Sequence, residues 1–296
     1  MTLFLNHRRA KKIHFFAQIT MIFLFFILSW LVAAADLPEI KGYDFADKKV
    51  KILKLPKELG EASGLTFIGD GRLLCHNDEQ AVIYQIDYRT GAILNQVSLG
   101  KFAGADPEGI AAKKDTIFIV RSNGTILRFL AAKDGKKASF QNFKTPLSIR
   151  NDVEGLTYDP ATDCLLLACK GAASIEAKNS LPAQKAVYAF SLKTYKLEPK
   201  PRFLIAIAPI TAQTKGREFA PSAIEYHPKT GHFFVIAARG NAIVELDASG
   251  NLLGVSSLPK TVHIQPEGLA IAPDGTLIIC NEGQGKAGRL VVYSPR

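Results

Sequence analysis

Val153-Glu154-Gly155-Leu156 is one of five versions of a phrase that recurs along this chain. The others are Glu61-Ala62-Ser63-Gly64-Leu65, Pro107-Glu108-Gly109-Ile110, Ala220-Pro221-Ser222-Ala223-Ile224 and Pro266-Glu267-Gly268-Leu269. Counted from Gly64, Gly109, Gly155, Ala223 and Gly268, the intervals are 45, 46, 68 and 45 residues. A period near 45 built from short apolar strands is the sequence signature of β-propeller blades. Rotation then carries one sequence position from every blade to the same central axis. Four of the five copies contain a glutamate there.

Each copy continues alike. A turn such as Gly69-Asp70-Gly71 or Pro273-Asp274-Gly275 leads into a second apolar strand, at residues 73–75, 117–120, 165–169, 233–237 and 277–280. A third strand follows at 83–87, 126–130, 187–191, 243–247 and 290–294, and a fourth at 93–99, 139–143, 203–208 and 252–258. The fifth copy has no fourth strand because the chain ends at Arg296. Residues 50–55 alternate as an edge strand should, and closing the last blade with them removes the bare sheet edge. The expected fold is all-β, a five-bladed propeller over residues 48–296. A six-bladed ring with a degenerate blade inside the 68-residue interval is the alternative.

The N-terminus is a separate matter. Arg8, Arg9, Lys11 and Lys12 precede an apolar run of 21 residues, 15–35, followed by Asp36. Residues 1–35 read as a signal peptide or a signal-anchor (transmembrane) helix, and 36–47 as a linker. The basic flank places the propeller on the periplasmic, extracytoplasmic side of the cell membrane, or outside it if cleavage follows Ala35. Setting this segment aside leaves 33 Lys and Arg against 27 acidic residues, scattered without interleaved aromatics. That distribution argues against nucleic-acid binding.

In a propeller the innermost strand starts, and the second ends, on the face around the channel mouth. Glu61, Glu108, Glu154 and Glu267 are expected to converge there, with Ser222 in the fifth place. The returning strands bring Asn77, Asp78, Glu79, Arg121, Lys170, Arg239, Asn281 and Glu282 as candidate ligand-binding residues. Carboxylates crowded on one axis repel and need a counter-charge. Either a hard cation such as Ca²⁺ takes their oxygens, or Arg121, Lys170 and Arg239 neutralise them as a salt-bridge network. The surplus length of blade three, at 171–185 and 209–220, falls on the same face, where binding loops belong. His76 and His263 are weak catalytic candidates, each a general base beside a metal on the rim. Cys75 and Cys280 fall at matching positions of neighbouring blades, as free thiols or a disulfide. Cys164 and Cys169, an odd number apart, face opposite sides of one strand.

Taken in order, Glu61-Ala-Ser-Gly-Leu, Asn77-Asp78-Glu79, Asp106-Pro-Glu-Gly-Ile, Asn151-Asp-Val-Glu-Gly-Leu and Gln265-Pro-Glu-Gly-Leu resemble the SdiA-regulated family. Its members are bacterial proteins with an N-terminal membrane segment and a five-bladed propeller, distantly related to NHL-repeat proteins. The resemblance covers nearly all of 48–296. It implies an envelope location and a calcium site, which falls best on Glu61, Glu108, Glu154 and Glu267, and it implies no established activity. Ser222 departs from the pattern in blade four. The resulting expectation is a membrane-associated, calcium-binding module that holds a protein or a small anionic ligand at the channel mouth. The alternative, by fold analogy with NHL-like relatives, is a metal-dependent hydrolase of a phosphoester or lactone.

Overall fold

Leu165, Leu166 and Leu167 follow one another in sequence, yet they belong to two different cores. In a strand, successive side chains point to opposite faces, so an unbroken apolar run marks a strand buried on both. Leu165 and Leu167 pack toward the preceding sheet and Leu166 toward the following one. The second strand of every repeat is built this way, and the fold follows from it.

A computed structural model describes residues 37–77, 82–100, 106–131, 137–176, 181–216 and 218–296. Among the described residues twenty strands form five four-stranded antiparallel sheets. Blade one holds β2 (Ala62–Gly69), β3 (Arg72–Asn77), β4 (Val82–Asp87) and β5 (Ile93–Ser98). Blade two holds β6 (Pro107–Lys113), β7 (Thr116–Arg121), β8 (Ile126–Leu130) and β9 (Phe140–Phe143). In blade three are β10 (Val153–Asp159), β11 (Cys164–Cys169), β12 (Gln184–Ser191) and β13 (Lys196–Ala206). Blade four contains β14 (Ala220–Tyr226), β15 (Phe233–Arg239), β16 (Ala242–Leu246) and β17 (Leu252–Ser257). The fifth is made of β18 (Pro266–Ile271), β19 (Leu277–Asn281) and β20 (Arg289–Tyr293), completed by β1 (Lys51–Lys54) from the start of the propeller. β1 pairs antiparallel with β20, Leu53 opposite Leu290, as the alternation of 50–55 foretold. The inner strands β2, β6, β10, β14 and β18 contact one another in that order and back to β2, so the ring is five-bladed.

The core is not central. It is divided into five apolar clusters, each between two neighbouring blades. Cys169 faces blade two, and Cys164 packs from the opposite face of β11. Residues 37–47, read from the sequence as the greater part of a linker, lie packed on blades four and five. Ile40, Tyr43 and Phe45 are buried in that inter-blade cluster, and the Tyr43 hydroxyl donates to the Gly275 carbonyl at 2.7 Å.

Two features depart from the repeat. β13 starts at Lys196, earlier than the apolar residues alone suggest, and carries Pro199 and Pro201, which an outermost strand tolerates. The strand expected to run to residue 208 ends at Ala206, and the chain then forms a helix, α1 (Ile207–Thr214), that extends into the link at 209–220. Pro209 sits in its first turn, where a missing N–H costs nothing. Gln184 opens β12 opposite Ala206, so α1 and the link after β11 both lie at the mouth end.

Among the described residues no helix is long and apolar enough to cross a membrane. The signal or anchor segment 1–35 lies outside the described residues, as do Asp78 and Glu79.

Candidate functional site

The recurring phrase has a specific backbone consequence. In β6, β10, β14 and β18 the antiparallel register slips by one residue at Glu108, Glu154, Ser222 and Glu267. In β2 the slip spans Ser63 and Gly64. Such β-bulges leave a residue unpaired and re-aim its side chain. Here the bulged residue is the one just before each marker. The marker glycine explains why it stays small. A Cβ at Gly109 would lie 2.7 Å from the Glu154 carbonyl, and at Gly268, 2.5 Å from that of Ser63, each on the next blade. Neighbouring inner strands therefore touch through the glycines, and the residue before each glycine is turned toward the axis.

Aligned by the bulge, the five positions are Ser63, Glu108, Glu154, Ser222 and Glu267. This corrects the expectation for blade one. Glu61 stands two residues upstream of Ser63, and instead borders a crevice of about 660 Å³ with Lys57, Asn77 and Lys286. The two serines tie blades together. Ser222 Oγ donates to the Pro266 carbonyl at 2.6 Å, and Ser63 Oγ to that of Glu108 at 3.4 Å.

The three carboxyls that do converge perturb one another. Burial pushes the Glu108 carboxyl far above the usual carboxylate range, and Glu154, Asp106 and Glu267 add to the shift while Lys170 opposes it. Burial also raises Glu154, and Glu267 adds to this. Lys170 pulls it back through an ion pair of 2.6 Å. Burial works against the Lys170 ammonium, but Glu154 and Glu267 outweigh it and hold its pKa above normal. Lys170 thus neutralises Glu154, as the salt-bridge alternative expects of it, while it offsets only part of the shift of Glu108.

The surrounding groups hold this arrangement in place. Asp106 accepts a short hydrogen bond from Ser122, whose carbonyl takes the Val153 N–H at 2.9 Å. Asp152 adopts a left-handed φ of 47°, and its carbonyl takes the Lys170 N–H at 2.7 Å. Buried Asn151 donates to the carbonyls of Ala172 and Ser174, fixing the described start of the link after β11. Arg121, Arg239 and Asn281 stand at the mouth ends of β7, β15 and β19, while Glu282 follows directly and accepts from Gln265. Asn77 Nδ2 turns away to the Glu58 carbonyl.

The two histidines are not rim bases. His76 is fully buried, its pKa pushed down to about 4, with hydrogen bonds to the backbone of Asn77 and Glu108 opposing the fall. His263 is likewise buried and held at about 4, stacked on Tyr293 with its Nε2 2.7 Å from the hydroxyl. In sequence they fall near Glu61 and Glu267 at the rim, His76 close to the end of β3 and His263 in the link between β17 and β18. Neighbouring elements in fact close over them.

A calcium ion takes six to eight oxygen ligands. Three carboxyls, two hydroxyls and nearby strand-end carbonyls match that chemistry, and Glu108 is an acid in want of a counter-charge. Among the described residues, however, no three Asp, Glu, His or Cys side chains stand close enough to cage an ion unaided. Ser hydroxyls, carbonyls or water would have to complete the shell.

Sequence reasoning missed Glu225, two residues past Ala223 on β14. Its Oε2 is enclosed with no hydrogen-bond partner among the described residues. Burial holds the carboxyl well above its ordinary value, while hydrogen bonds from Thr157 and the Tyr226 backbone work the other way. A raised acid destabilises the fold once the unfolded form ionises above about pH 4.3, and increasingly so until the folded group ionises too. Glu225→Gln removes that dependence. Thermal melts are expected to show the variant gaining on the wild type from pH 4 to pH 8, and an equal difference at both would refute the assignment.

The comparisons with known proteins come to bear at this point. A model of the SdiA-regulated family matches residues 202–293. The match runs from within β13 through blades four and five, so the family resemblance is borne out over those residues, and of the phrases that carry it Gln265-Pro-Glu-Gly-Leu lies inside the match. No curated protein matches the chain. Among solved structures, it is similar to glutaminyl cyclase from Myxococcus xanthus, at 11% identity over 83% of this chain and 94% of that one, TM-score 0.53. The PQQ-bound aldose sugar dehydrogenase from Streptomyces coelicolor shares 13% identity over 84% and 99%, TM-score 0.52. A structural genomics protein of unknown function from Bacteroides thetaiotaomicron shares 12% over 88% and 63%, TM-score 0.52. Identities this low establish a common fold and nothing about chemistry.

Proposed function

We propose that the channel mouth binds a divalent cation, with calcium the best match to its oxygen donors, and that the metal-bound rim docks a protein or a small anionic ligand. The observation that carries this reading is Glu108, a half-buried carboxyl raised by desolvation first, then by Glu154, Asp106 and Glu267, and only partly relieved by Lys170. Glu108 would be the principal ligand, joined by Glu154 or Glu267, with the Ser63 and Ser222 hydroxyls, strand-end carbonyls and water completing the shell. Glu61 falls out of the set. Arg239, at the exposed end of β15, and Arg121 would meet an anionic group on the ligand. The apolar run 15–35 would anchor the propeller to the outer side of the cell membrane.

A hydrolase reading requires a proton-moving group beside the metal. Burial of His76 and His263 removes both groups nominated for that task, so a binding module is the better supported function.

Calorimetric titration of Ca²⁺ into the chelator-treated full chain tests the proposal. Saturable binding is expected, weakened about tenfold or more, some 1.4 kcal/mol, in both Glu108→Gln and Glu267→Gln. Heats of dilution alone in the wild type would leave these carboxyls as a structural network.

A further inference from the structure

Cys75 and Cys280 lie where blade five closes on blade one, and they face each other between the first repeat of the chain and its last. They do not occupy matching positions. Asn77 and Asn281 end their strands opposite Ala62 and Pro266, so Cys280 is one residue nearer the mouth than Cys75. That offset turns their side chains toward each other, because successive residues of a strand face opposite ways. Both are fully buried in the same inter-blade cluster, with Leu65, Leu73 and Leu290. At this seam Cys75 Sγ donates to the His76 carbonyl at 3.6 Å and Cys280 Sγ to the Ser63 carbonyl at 3.3 Å, and the Cys75 thiol is the first cause of the upward pKa shift of Cys280. Cys164 and Cys169, on opposite faces of β11, have no such relation.

We propose that Cys75 and Cys280 are the site of an intramolecular disulfide that locks the closing seam of the propeller. The ring is otherwise sealed there by the four-residue β1–β20 pairing and by apolar packing. The reactant is a disulfide-bearing oxidant, such as glutathione disulfide or an oxidised dithiol enzyme. One cysteine loses its proton, and its thiolate attacks a sulfur of the oxidant, expelling the other sulfur as a thiolate. The second cysteine, once deprotonated, attacks the mixed disulfide, forming the Cys75–Cys280 bond and releasing the second thiolate. Two electrons pass to the oxidant, and the two protons end on its thiols.

The closed fold protects the thiols. Burial and the facing sulfur hold Cys280 well above its usual pKa, which leaves little thiolate. The reaction therefore belongs to the open seam, before blade five docks. The bridge would close a loop of roughly 200 residues, a length at which cross-links constrain the unfolded chain strongly.

The test is refolding of the full chain in detergent, once with a glutathione redox pair and once with excess reductant, followed by alkylation and non-reducing peptide mapping. The oxidised sample is expected to keep two alkylatable thiols of four, yield a Cys75–Cys280 peptide and melt about 10 °C higher. Cys75→Ser is expected to abolish the shift. Four free thiols after oxidative refolding, or a bridge that uses Cys164 or Cys169, would overturn the assignment. A Cys75–Cys280 bond with no rise in melting temperature would overturn its role as a lock. Mapping of the wild type decides even where the variant fails to fold.

Discussion

Gly109→Ala is expected to destabilise the propeller by about 3 kcal/mol, a large effect for one methyl group. The cause is contact rather than backbone angle. The new Cβ would lie 2.6 Å from both Leu156 Cβ and Leu156 N, and 2.7 Å from the Glu154 carbonyl. All three atoms belong to the inner strand of the next blade, two of them backbone, so no rotamer change relieves the clash. Blades two and three must separate, which opens the apolar cluster between them and moves Glu108 relative to Glu154. Gly42→Ala is the control, since nothing lies within 4 Å of its new methyl, and its effect is expected within about 0.5 kcal/mol. Urea unfolding followed by circular dichroism measures both. A loss below about 1 kcal/mol at Gly109 would mean that the inner strands do not touch as described.

Lys170→Met is expected to cost about 3 kcal/mol at alkaline pH, because it strands a carboxyl that is 8% exposed without its ammonium. The pH dependence carries the sign. Glu154 is already raised in the folded state by burial, and Lys170 is the group that pulls it down. Without Lys170 the folded pKa rises further, so the deficit relative to the wild type starts near pH 7, where wild-type Glu154 ionises, and deepens with pH. Below that range the deficit is expected to fade. The same substitution frees Glu154 for a cation, so Ca²⁺ affinity should rise as stability falls. A pH-independent loss would indicate that Lys170 acts through its aliphatic stem alone.

The fold was legible because repetition outvotes local ambiguity. Five copies of one phrase and an orphan strand at 50–55 suffice for a closed ring, whatever the error at any single strand end. The site was legible only in part. Matching the copies by glutamate put Glu61 in the ring, whereas the physical constraint lies in the glycine, which must be small where neighbouring inner strands touch. Counting back from Gly64 gives Ser63. His76 and His263 misled because a strand end or a link between strands reads as exposed in one sequence segment, and what buries it comes from elsewhere in the fold, as Tyr293 does for His263. The cysteine pair needed a one-residue offset that the bulges conceal. The helix at Ile207–Thr214 was hidden by Pro209, a breaker everywhere except in a first turn. Glu225 gave no signal, since a lone acid on a strand ordinarily marks the solvent face.

Carboxyl carbon NMR of the full chain labelled at glutamate, with Glu108 assigned by Glu108→Gln, tests the central claim most directly. Without calcium the Glu108 carboxyl is expected to titrate far above the ordinary range, and saturating Ca²⁺ should return it to the ionised form at neutral pH. A Glu108 that titrates as an ordinary carboxylate, or one that calcium leaves unmoved, would contradict the account of the channel mouth as a cation site.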